Sequence, residues 1–272
     1  LYHEQQDKVK INTEVIISSL NRQAAIKCNT ENQTIAELNL SAKRSLSMID
    51  FQNGGTKGAP KFPQPGLQEF LWRAYLRTDN EKFYDAVMTS LIHMCQGGIY
   101  DHLGGGFARY STDAIWLTPH FEKMLYDNAL LIHLMTLVWQ KTRSPLLEHR
   151  IWETIEWVLR ELKLDNGGLA GSIDADSLNN FNHVDEGAFY IWDYNEIQRL
   201  LGDDFTLFKQ FYDVSKTGNW EQKNILNRLN KMELYDKKTE KTLAKCRKLL
   251  FDEREKRRKP ELDNKVLADW NG

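Results

Sequence analysis

Cysteine is scarce in this chain of 272 residues, which contains only Cys28, Cys95 and Cys246. The three residues are far apart in the sequence and form no Cys-x-x-Cys pair. Disulfide bonding, a zinc knuckle and a dithiol redox centre are therefore not supported within this chain. We expect each thiol to pack as a small apolar side chain inside a helix.

Charge of one sign is not in excess either, because 36 Lys and Arg residues face 38 Asp and Glu residues and the formal net charge is -2. A surface that coats nucleic-acid phosphates needs a strong basic excess, so we predict no nucleic-acid partner. The longest apolar run, residues 129–139, is interrupted by His133 and is about half of the roughly 20 residues that a bilayer-spanning helix needs. We therefore predict no membrane association.

Several short catalytic and binding motifs are missing as well. The patterns G-x-G-x-x-G, G-x-x-x-x-G-K-[ST], G-x-S-x-G and H-E-x-x-H do not occur, so we predict no cofactor and no metal site.

No basic stretch followed by an apolar segment begins the chain at Leu1, which favours a cytoplasmic protein. Residues 266–270 resemble the first turns of a helix that stops at Gly272, so we expect a helical region that is incomplete there.

Hydrophobic residues make up 41% of the chain and aromatic residues 11%, which is ample for a buried core. Apolar residues recur at three- and four-residue spacing, the pattern of amphipathic helices, in segments 35–49, 83–94, 125–138, 151–162 and 243–250. Thr118 and Pro119 have the pattern of an N-cap and a first-turn proline for the third of these helices. Asp193 and Glu196 have the spacing of a capping box at the start of another helix.

Strand signals are few, and glycine-rich turns separate the helices. Residues 169–173 and 189–192 predict one short β-hairpin. Adjacent glycines recur at 54–55, 97–98, 104–106 and 167–168, and such turns between helical pairs are typical of an array of helical hairpins. The sequence therefore predicts an all-α fold with a short β-hairpin decoration.

Reactive side chains are concentrated between residues 99 and 128. The set comprises Asp101, His102, Arg109, Tyr110, Asp113, Trp116, His120, Glu122 and Asp127. Near the predicted helix N-terminus, the helix macrodipole would keep His120 neutral and able to accept a proton. Asp127, two helical turns further on, would share the face of His120 and fix its tautomer through a bridging loop or water. The alternative is that His120 caps its helix while Glu122 and Asp127 form salt bridges.

A second polar cluster, Asp174 and Asp176, follows the glycine turn at 167–168. Two carboxylates at spacing two on an extended segment point the same way and repel unless a cation, a proton or a polar ligand intervenes. Such a pair can bind sugar hydroxyls, or both residues can cap backbone amides in an Asx-turn. Flat rings near the two clusters, among them Trp116 and Trp192, suit the C–H face of a pyranose.

The motifs from about Asp50 onward closely resemble those of one protein family. They are GAPKFP at 58–63, GGIYDHLGGGF at 97–107, RYSTD at 109–113, PHFEKMLYDN at 119–128, DADS at 174–177, GNW at 218–220, KV at 265–266 and WNG at 270–272. In these motifs the chain resembles the thioredoxin-domain-containing YyaL family, whose animal relatives are the spermatogenesis-associated protein 20 group. The resemblance implies a thioredoxin-like N-terminal domain, which residues 1–272 are expected to lack. It also implies that this chain is part of an (α/α)6 toroid of the six-hairpin glycosidase type, similar to N-acylglucosamine 2-epimerases.

The chain departs from the family pattern at three places. Ala108 stands where relatives usually carry His, which weakens any proposal of a base at that position. Thr56 and Lys57 replace a Phe-Gly pair of many relatives. Residues 178–184 form an insertion between DADS and the Glu186-Gly187 pair, which relatives usually keep adjacent.

The first functional hypothesis is a carbohydrate-active enzyme with its site at the glycine-loop end of the toroid. Epimerisation would need groups that remove and return a proton beside a carbonyl, and His102 and His120 are the candidates. Glycoside hydrolysis would need two carboxylates instead. The carboxylate candidates are Asp101, Glu122, Asp127, Asp174 and Asp176. The candidates for binding and orienting a small sugar are Arg109, Tyr110, Trp116, Asp174, Asp176 and Trp192.

The second hypothesis is a non-catalytic scaffold that presents Trp116 and Trp192 to a companion polypeptide, while a thioredoxin-like domain supplies any redox chemistry. The third is a split or decaying gene product that folds only with its missing half. An open half-toroid exposes apolar helix faces, so such a chain is expected to oligomerise or aggregate.

Overall fold

The computed structural model of the protein describes residues 5–25, 32, 34–179 and 182–272. The chain divides into two compact units, residues 1–41 and 42–272. In the first unit, helix α1 (Gln6–Ala24) buries none of its residues and exposes large apolar side chains, namely Ile11, Val15, Ile16, Ile17 and Leu20. Helix α2 (Ile35–Ser45) crosses the boundary between the units in sequence, and a 3-10 turn (Leu46–Met48) follows it.

Helical hairpins carry the main core of the second unit. Helices α3 (Pro65–Thr78) and α4 (Glu81–Gln96) form one hairpin, and α5 (Leu125–Thr142) and α6 (Pro145–Trp157) form another. The residue that ends the first helix of each pair, Asp79 or Arg143, has a left-handed backbone conformation. Helix α3 also packs against α5, so the hairpins share one hydrophobic core.

A second hydrophobic core lies among the later helices. Helix α6 continues as a π-helical turn (Val158–Leu162), and α7 (Tyr194–Leu201), α8 (Phe205–Phe211), α9 (Lys237–Arg254) and the short α10 (Ala268–Asn271) follow. Helix α7 packs against both α8 and α9 around buried Ile197, Phe208 and Leu243. The Asp193 side chain accepts a hydrogen bond from the Asn195 amide, which confirms it as the N-cap of α7. The predicted all-α fold of helical hairpins is confirmed.

Short antiparallel strands connect the loops between these helices. In chain order they are β1 (Tyr110–Ser111), β2 (Pro119–His120), β3 (Lys123–Met124), β4 (Ser172–Ile173), β5 (Asp176–Leu178), β6 (Val184–Glu186) and β7 (Leu262–Asp263). Strand β1 pairs with β2, β4 pairs with both β3 and β7, and β5 pairs with β6. The β3–β4 pairing brings the polar segment that ends near residue 127 next to the polar segment that begins at residue 172.

The helix predicted to begin at Thr118 and Pro119 begins later than predicted. Residues 119–124 are extended in β2 and β3, and α5 starts at Leu125. Cross-strand hydrogen bonding to β1 and β4 takes the place of the first helical turn. The prediction that His120 lies at a helix N-terminus is therefore wrong, and the argument from the helix macrodipole does not apply to it.

The predicted hairpin of residues 169–173 with 189–192 is also wrong. Strand β4 pairs with β3 and β7, while Phe189 and Tyr190 lie in a turn and Trp192 makes an isolated bridge with Asn224. The β-hairpin of this region is β5–β6 instead, in which Leu178 pairs with Val184. Pairing partners are set by tertiary contacts, which short-range strand propensity does not encode.

Cys95 and Cys246 are buried free thiols within α4 and α9, as predicted. Burial raises the pKa of the Cys95 thiol to about 12 and that of Cys246 to about 11. Cys28 lies outside the described residues. None of the described helices combines the length and apolarity that crossing a membrane requires.

Candidate functional site

The segment between β1 and α5 divides its side chains between two sites. Along an extended chain, successive side chains point to opposite sides. His120 and Glu122 contact polar groups on one side, whereas Phe121 and Lys123 contact Tyr190 on the other. We call the first site the outer cluster, defined as Arg109, Tyr110, His120, Glu122, Asp127 and Glu186.

A histidine–carboxylate pair lies at the heart of the outer cluster. His120 Nδ1 lies 2.7 Å from Glu186 Oε1. A carboxylate only accepts hydrogen bonds, so Nδ1 carries the proton and donates it. In the neutral ring Nε2 is then the free acceptor, and it faces Glu122 Oε2 at 3.8 Å. Glu186 also accepts a hydrogen bond from the Phe121 amide at 3.3 Å, which fixes the carboxylate in place.

Arginine and two further carboxyl groups complete the charged part of the outer cluster. Arg109 Nη1 donates to Glu122 Oε2 over 3.1 Å. The Asp127 side chain is buried at the start of α5, and its Oδ2 has no hydrogen-bond partner. Burial raises the pKa of Asp127 to about 7, with Arg109 opposing this change and Glu122 adding to it. Asp127 can therefore gain or lose a proton near neutral pH.

Stacked rings orient His120 within the outer cluster. Tyr110 stacks on His120 with ring centroids 5.0 Å apart, and Phe62 stacks on Tyr110 at 4.7 Å. The β1–β2 pairing places Tyr110 directly opposite His120. Ring stacking and the Glu186 hydrogen bond together hold the imidazole in one orientation.

On the other side of the segment lies a second site, the buried triad of Asp101, Lys123 and Arg254. Asp101 Oδ2 accepts from Lys123 Nζ at 2.8 Å, and both of its oxygens accept from Arg254 at 2.8 and 2.9 Å. All three side chains are at most 8% exposed. Although burial acts to raise the pKa of Asp101, Arg254 and Lys123 hold it well below its ordinary value.

A cleft of about 170 Å³ opens beside the buried triad. Besides the three triad residues, its lining includes Trp157, Arg160, Glu161, Phe189, Tyr190 and Lys259. For comparison, a cavity of about 150 Å³ in another protein binds benzene, so a cleft of this volume suits one six-membered ring or an open chain of similar size. Burial raises the pKa of the Tyr190 hydroxyl, so the hydroxyl keeps its proton at neutral pH.

His102 lies in a buried network with Gly97 and Arg150, beside a small cavity that Asp101 and Lys123 also line. Its Nε2 lies 2.9 Å from the Gly97 carbonyl oxygen, and its Nδ1 lies 3.3 Å from Arg150 Nη2. Both ring nitrogens are therefore engaged, the first as donor and the second as acceptor. Burial, with Arg150 adding to it, holds the pKa of His102 well below its ordinary value. This network leaves no free ring nitrogen for proton transfer.

Trp116 and Trp192 lie in the interior, which differs from the prediction that they bind a sugar or a partner chain. Both side chains are 0% exposed. Trp116 Nε1 donates to the Asn53 carbonyl oxygen over 2.9 Å, and Arg257 lies over the Trp192 ring at 4.0 Å. The sequence placed these rings beside polar residues, but packing against distant segments covers them.

The remaining candidate carboxylates occupy turns and strand ends. Asp174 is exposed, and its Oδ1 accepts from the Asp176 amide at 3.1 Å, so the Asx-turn alternative describes it. Asp176 is exposed and lies directly opposite Glu186 in the β5–β6 hairpin, which brings it to the edge of the outer cluster. Asp113 accepts hydrogen bonds from three backbone amides of its own loop, those of Ile115, Leu117 and Thr118.

The structure thus brings together five of the predicted site residues and adds others that the sequence did not single out. The five are Arg109, Tyr110, His120, Glu122 and Asp127. Glu186, Lys123 and Arg254 were not predicted. Lys123 follows Glu122 directly in the PHFEKMLYDN motif. Because adjacent side chains of an extended segment point to opposite sides, this alternation could have predicted that Lys123 lies on the side opposite Glu122. In the described part of the chain, no group of three or more His, Cys, Asp or Glu side chains is arranged to hold a metal ion.

These observations define the class: an all-α protein of helical hairpins whose short connecting strands carry a histidine–carboxylate cluster. Its sequence is 33% identical over 255 residues to spermatogenesis-associated protein 20 of Homo sapiens, a match that covers 82% of this chain and 32% of that protein. It is 32% identical over 262 residues to an uncharacterised protein of Caenorhabditis elegans, covering 83% of this chain and 35% of that protein. The chain therefore spans about a third of the length of the curated relatives it matches.

No family model matches the chain. Among solved structures, a sugar epimerase from a ruminal bacterium is similar with a TM-score of 0.44 and 15% sequence identity, over 60% of this chain and 48% of that chain.

Proposed function

We propose that this chain belongs to the family of spermatogenesis-associated protein 20 and forms part of a carbohydrate-active helical toroid. We further propose that the outer cluster transfers a proton on a sugar, as in epimerisation or isomerisation. Sequence identity to the human and nematode relatives supports the family. The observation that carries the chemistry is the 2.7 Å contact between His120 and Glu186 beside an ionisable, buried Asp127.

In this proposal His120 is the base. Glu186 holds the Nδ1 proton and leaves the Nε2 lone pair available to remove a proton next to a sugar carbonyl. The positive imidazolium that forms would lie between Glu186 and Glu122, whose carboxylates stabilise it. Arg109 would bind the carbonyl or hydroxyl oxygen that gains negative charge in the transition state.

Asp127 is the acid in this proposal. With a pKa of about 7 it is protonated in a large fraction of molecules at neutral pH, so it can return a proton to the sugar. Its pKa depends on both Arg109 and Glu122, which places it within electrostatic reach of the groups that would bind the substrate. Epimerisation requires one group that removes a proton and a second group that returns one.

Hydrogen exchange into sugars tests this function. The protein is incubated in D2O with a panel of aldoses and N-acyl hexosamines, and deuterium at the carbon next to the carbonyl is measured by NMR. We expect exchange with at least one sugar, a loss of about 100-fold or more in His120→Ala and a loss of about tenfold in Glu186→Gln.

The matched control is His133→Ala, because His133 is an exposed histidine paired with Glu69 at 3.5 Å, away from the outer cluster. This variant should exchange as fast as the unchanged protein. Exchange that survives in His120→Ala, or no exchange with any sugar of the panel, would exclude the proposed proton transfer.

The wider context also belongs to the proposal. We propose that a companion segment completes the toroid, that a thioredoxin-like domain works with it and that the protein acts in the cytoplasm. The parts of the relatives that this chain does not match can be expressed separately. Co-purification of one of them with this chain would support the companion segment, whereas a stable monomer that binds none of them would contradict it.

A further inference from the structure

The cleft beside the buried triad has a chemistry of its own, on the opposite side of the extended segment from His120. Lys123 lines this cleft, and its side chain is 3% exposed. Its ammonium donates to Asp101 Oδ2 and to the Gly105 carbonyl oxygen, at 2.8 and 2.9 Å. The Tyr190 and Trp157 rings flank it, with centroids 4.8 and 5.3 Å from Nζ.

We propose that Lys123 is a nucleophilic amine that forms an imine with a small aldehyde or ketone, such as the open-chain form of a short sugar, held in this cleft. Lysine becomes a nucleophile of this kind when it is desolvated or lies next to another cation. Lys123 meets both conditions, because it is buried and the Arg254 guanidinium shares the Asp101 carboxylate with it.

The reaction balances without any further reagent. The lone pair of the neutral Nζ forms a bond to the carbonyl carbon, and the electrons of the C–O double bond move to oxygen. The oxygen then leaves as water with the two hydrogens of the amine, and a C–N double bond remains. Trp157, Phe189 and Tyr190 supply apolar surface in the cleft, against which the carbon chain of the carbonyl compound would lie.

The protonation equilibrium of Lys123 supports this chemistry. Burial lowers the pKa of Lys123 to about 8, with Asp101 opposing the change and Arg254 adding to it. At pH 7 the neutral fraction of such an amine is on the order of a hundredfold larger than that of an ordinary lysine.

Lys61 provides a matched internal control within the same protein. It is 0% exposed, and it pairs with the Asp50 carboxylate and with the Gly54 carbonyl oxygen, both at 2.7 Å. Its partners are therefore of the same kinds as those of Lys123, but Lys61 is not among the residues that line the cleft. Lys245, whose side chain is 69% exposed, represents ordinary surface lysines.

Reductive trapping tests the proposal on the unchanged protein. The chain is incubated with D-glyceraldehyde and sodium cyanoborohydride between pH 6 and 10, and the resulting secondary amines are located by peptide mass spectrometry. We expect Lys123 to be labelled at least about tenfold faster than Lys245 at pH 8, with the rate reaching half its plateau near pH 8. Lys61 should stay essentially unlabelled.

Labelling of Lys123 no faster than Lys245, or labelling of Lys61 at the same rate as Lys123, would overturn the proposal. Lys123→Arg should lose the adduct while its circular dichroism spectrum is kept. The proposal is independent of proton transfer in the outer cluster, because His120→Ala should retain full trapping at Lys123. Failure of deuterium exchange and failure of trapping are therefore separate results.

Discussion

Asp127 is the buried acid of the outer cluster, and burial raises its pKa to about 7. Its buried Oδ2 has no partner, and Glu122 is close enough to disfavour a second negative charge. A buried carboxyl group of this kind costs stability when it ionises. The proposed proton transfer would explain why the protein has a carboxyl group at this destabilising position.

Replacing Asp127 with Asn should therefore stabilise the protein in a pH-dependent way. The folded-state pKa of about 7 lies above the ordinary value of 3.8, so the folded protein binds more protons between these pH values and stability falls as pH rises through this range. Asp127→Asn removes this pH-dependent loss. The gain in the free energy of unfolding over the unchanged protein should grow from near zero at pH 4 to at most about 4 kcal/mol at pH 8. Urea unfolding of both proteins across this range measures the gain.

A constant difference in the free energy of unfolding from pH 4 to pH 8 would show that Asp127 does not titrate near 7. Asp176→Asn is the control, because Asp176 is exposed and lies at the edge of the same cluster. Its variant should change the free energy of unfolding by less than about 0.5 kcal/mol at every pH.

At the scale of an element, the glycine-rich turn after α4 is shaped by a close approach of two chain segments. Gly97 ends α4 with an extended backbone. The left-handed conformation that is common for glycine at a helix C-terminus is not used here. A Cβ atom on Gly98 would collide with the backbone carbonyl oxygen of Leu117. The turn therefore needs glycine so that the loop before β2 can pass over it.

Gly98→Ala should destabilise the protein by about 3 kcal/mol, because the Leu117 backbone has to move to admit the methyl group. Gly66→Ala in α3 is the matched control, since nothing lies within 4 Å of the added Cβ atom. Alanine favours helix over glycine, so this variant should be stabilised by up to about 1 kcal/mol. Thermal unfolding of both variants checks the opposite signs, and equal effects would contradict the steric explanation.

At the scale of the whole molecule, the buried triad ties together parts of the second unit that are distant in sequence. Asp101 and Arg254 are separated by 153 positions, and Arg254 ends α9. Asp101 Oδ1 also accepts from the Leu103 and Gly104 amides, so the same carboxylate shapes its own loop. Helix α9 is thereby connected to the loop that precedes β1.

Asp101→Asn should cost about 3 to 5 kcal/mol of stability, because it leaves Lys123 and Arg254 buried without their shared counter-charge. Asp204→Asn removes the half-buried partner of the exposed Lys245 and should cost less than about 1 kcal/mol. Chemical denaturation measures both. A loss in Asp101→Asn no larger than in Asp204→Asn would mean that the triad contributes little to the fold.

The helices are the part of the structure that the sequence predicts best. Apolar spacing located α4, α6 and α9, and the side chain of Asp193 predicted the start of α7. The signals for these features lie within a few residues of each other, so local periodicity and capping chemistry are sufficient to predict them. Arg109, Tyr110, His120, Glu122 and Asp127 could be grouped for the same reason, since they are close in sequence.

Tertiary structure decided the rest. Glu186 reaches His120 from 66 positions away, and Arg254 reaches Asp101 from 153 positions away, so no local pattern could pair them. Strand pairing replaced the helical turn predicted at Thr118 and Pro119, and packing against distant segments buried Trp116. Local sequence thus determined most of the helical segments, whereas the partners of each charged side chain depend on contacts that only the folded chain creates.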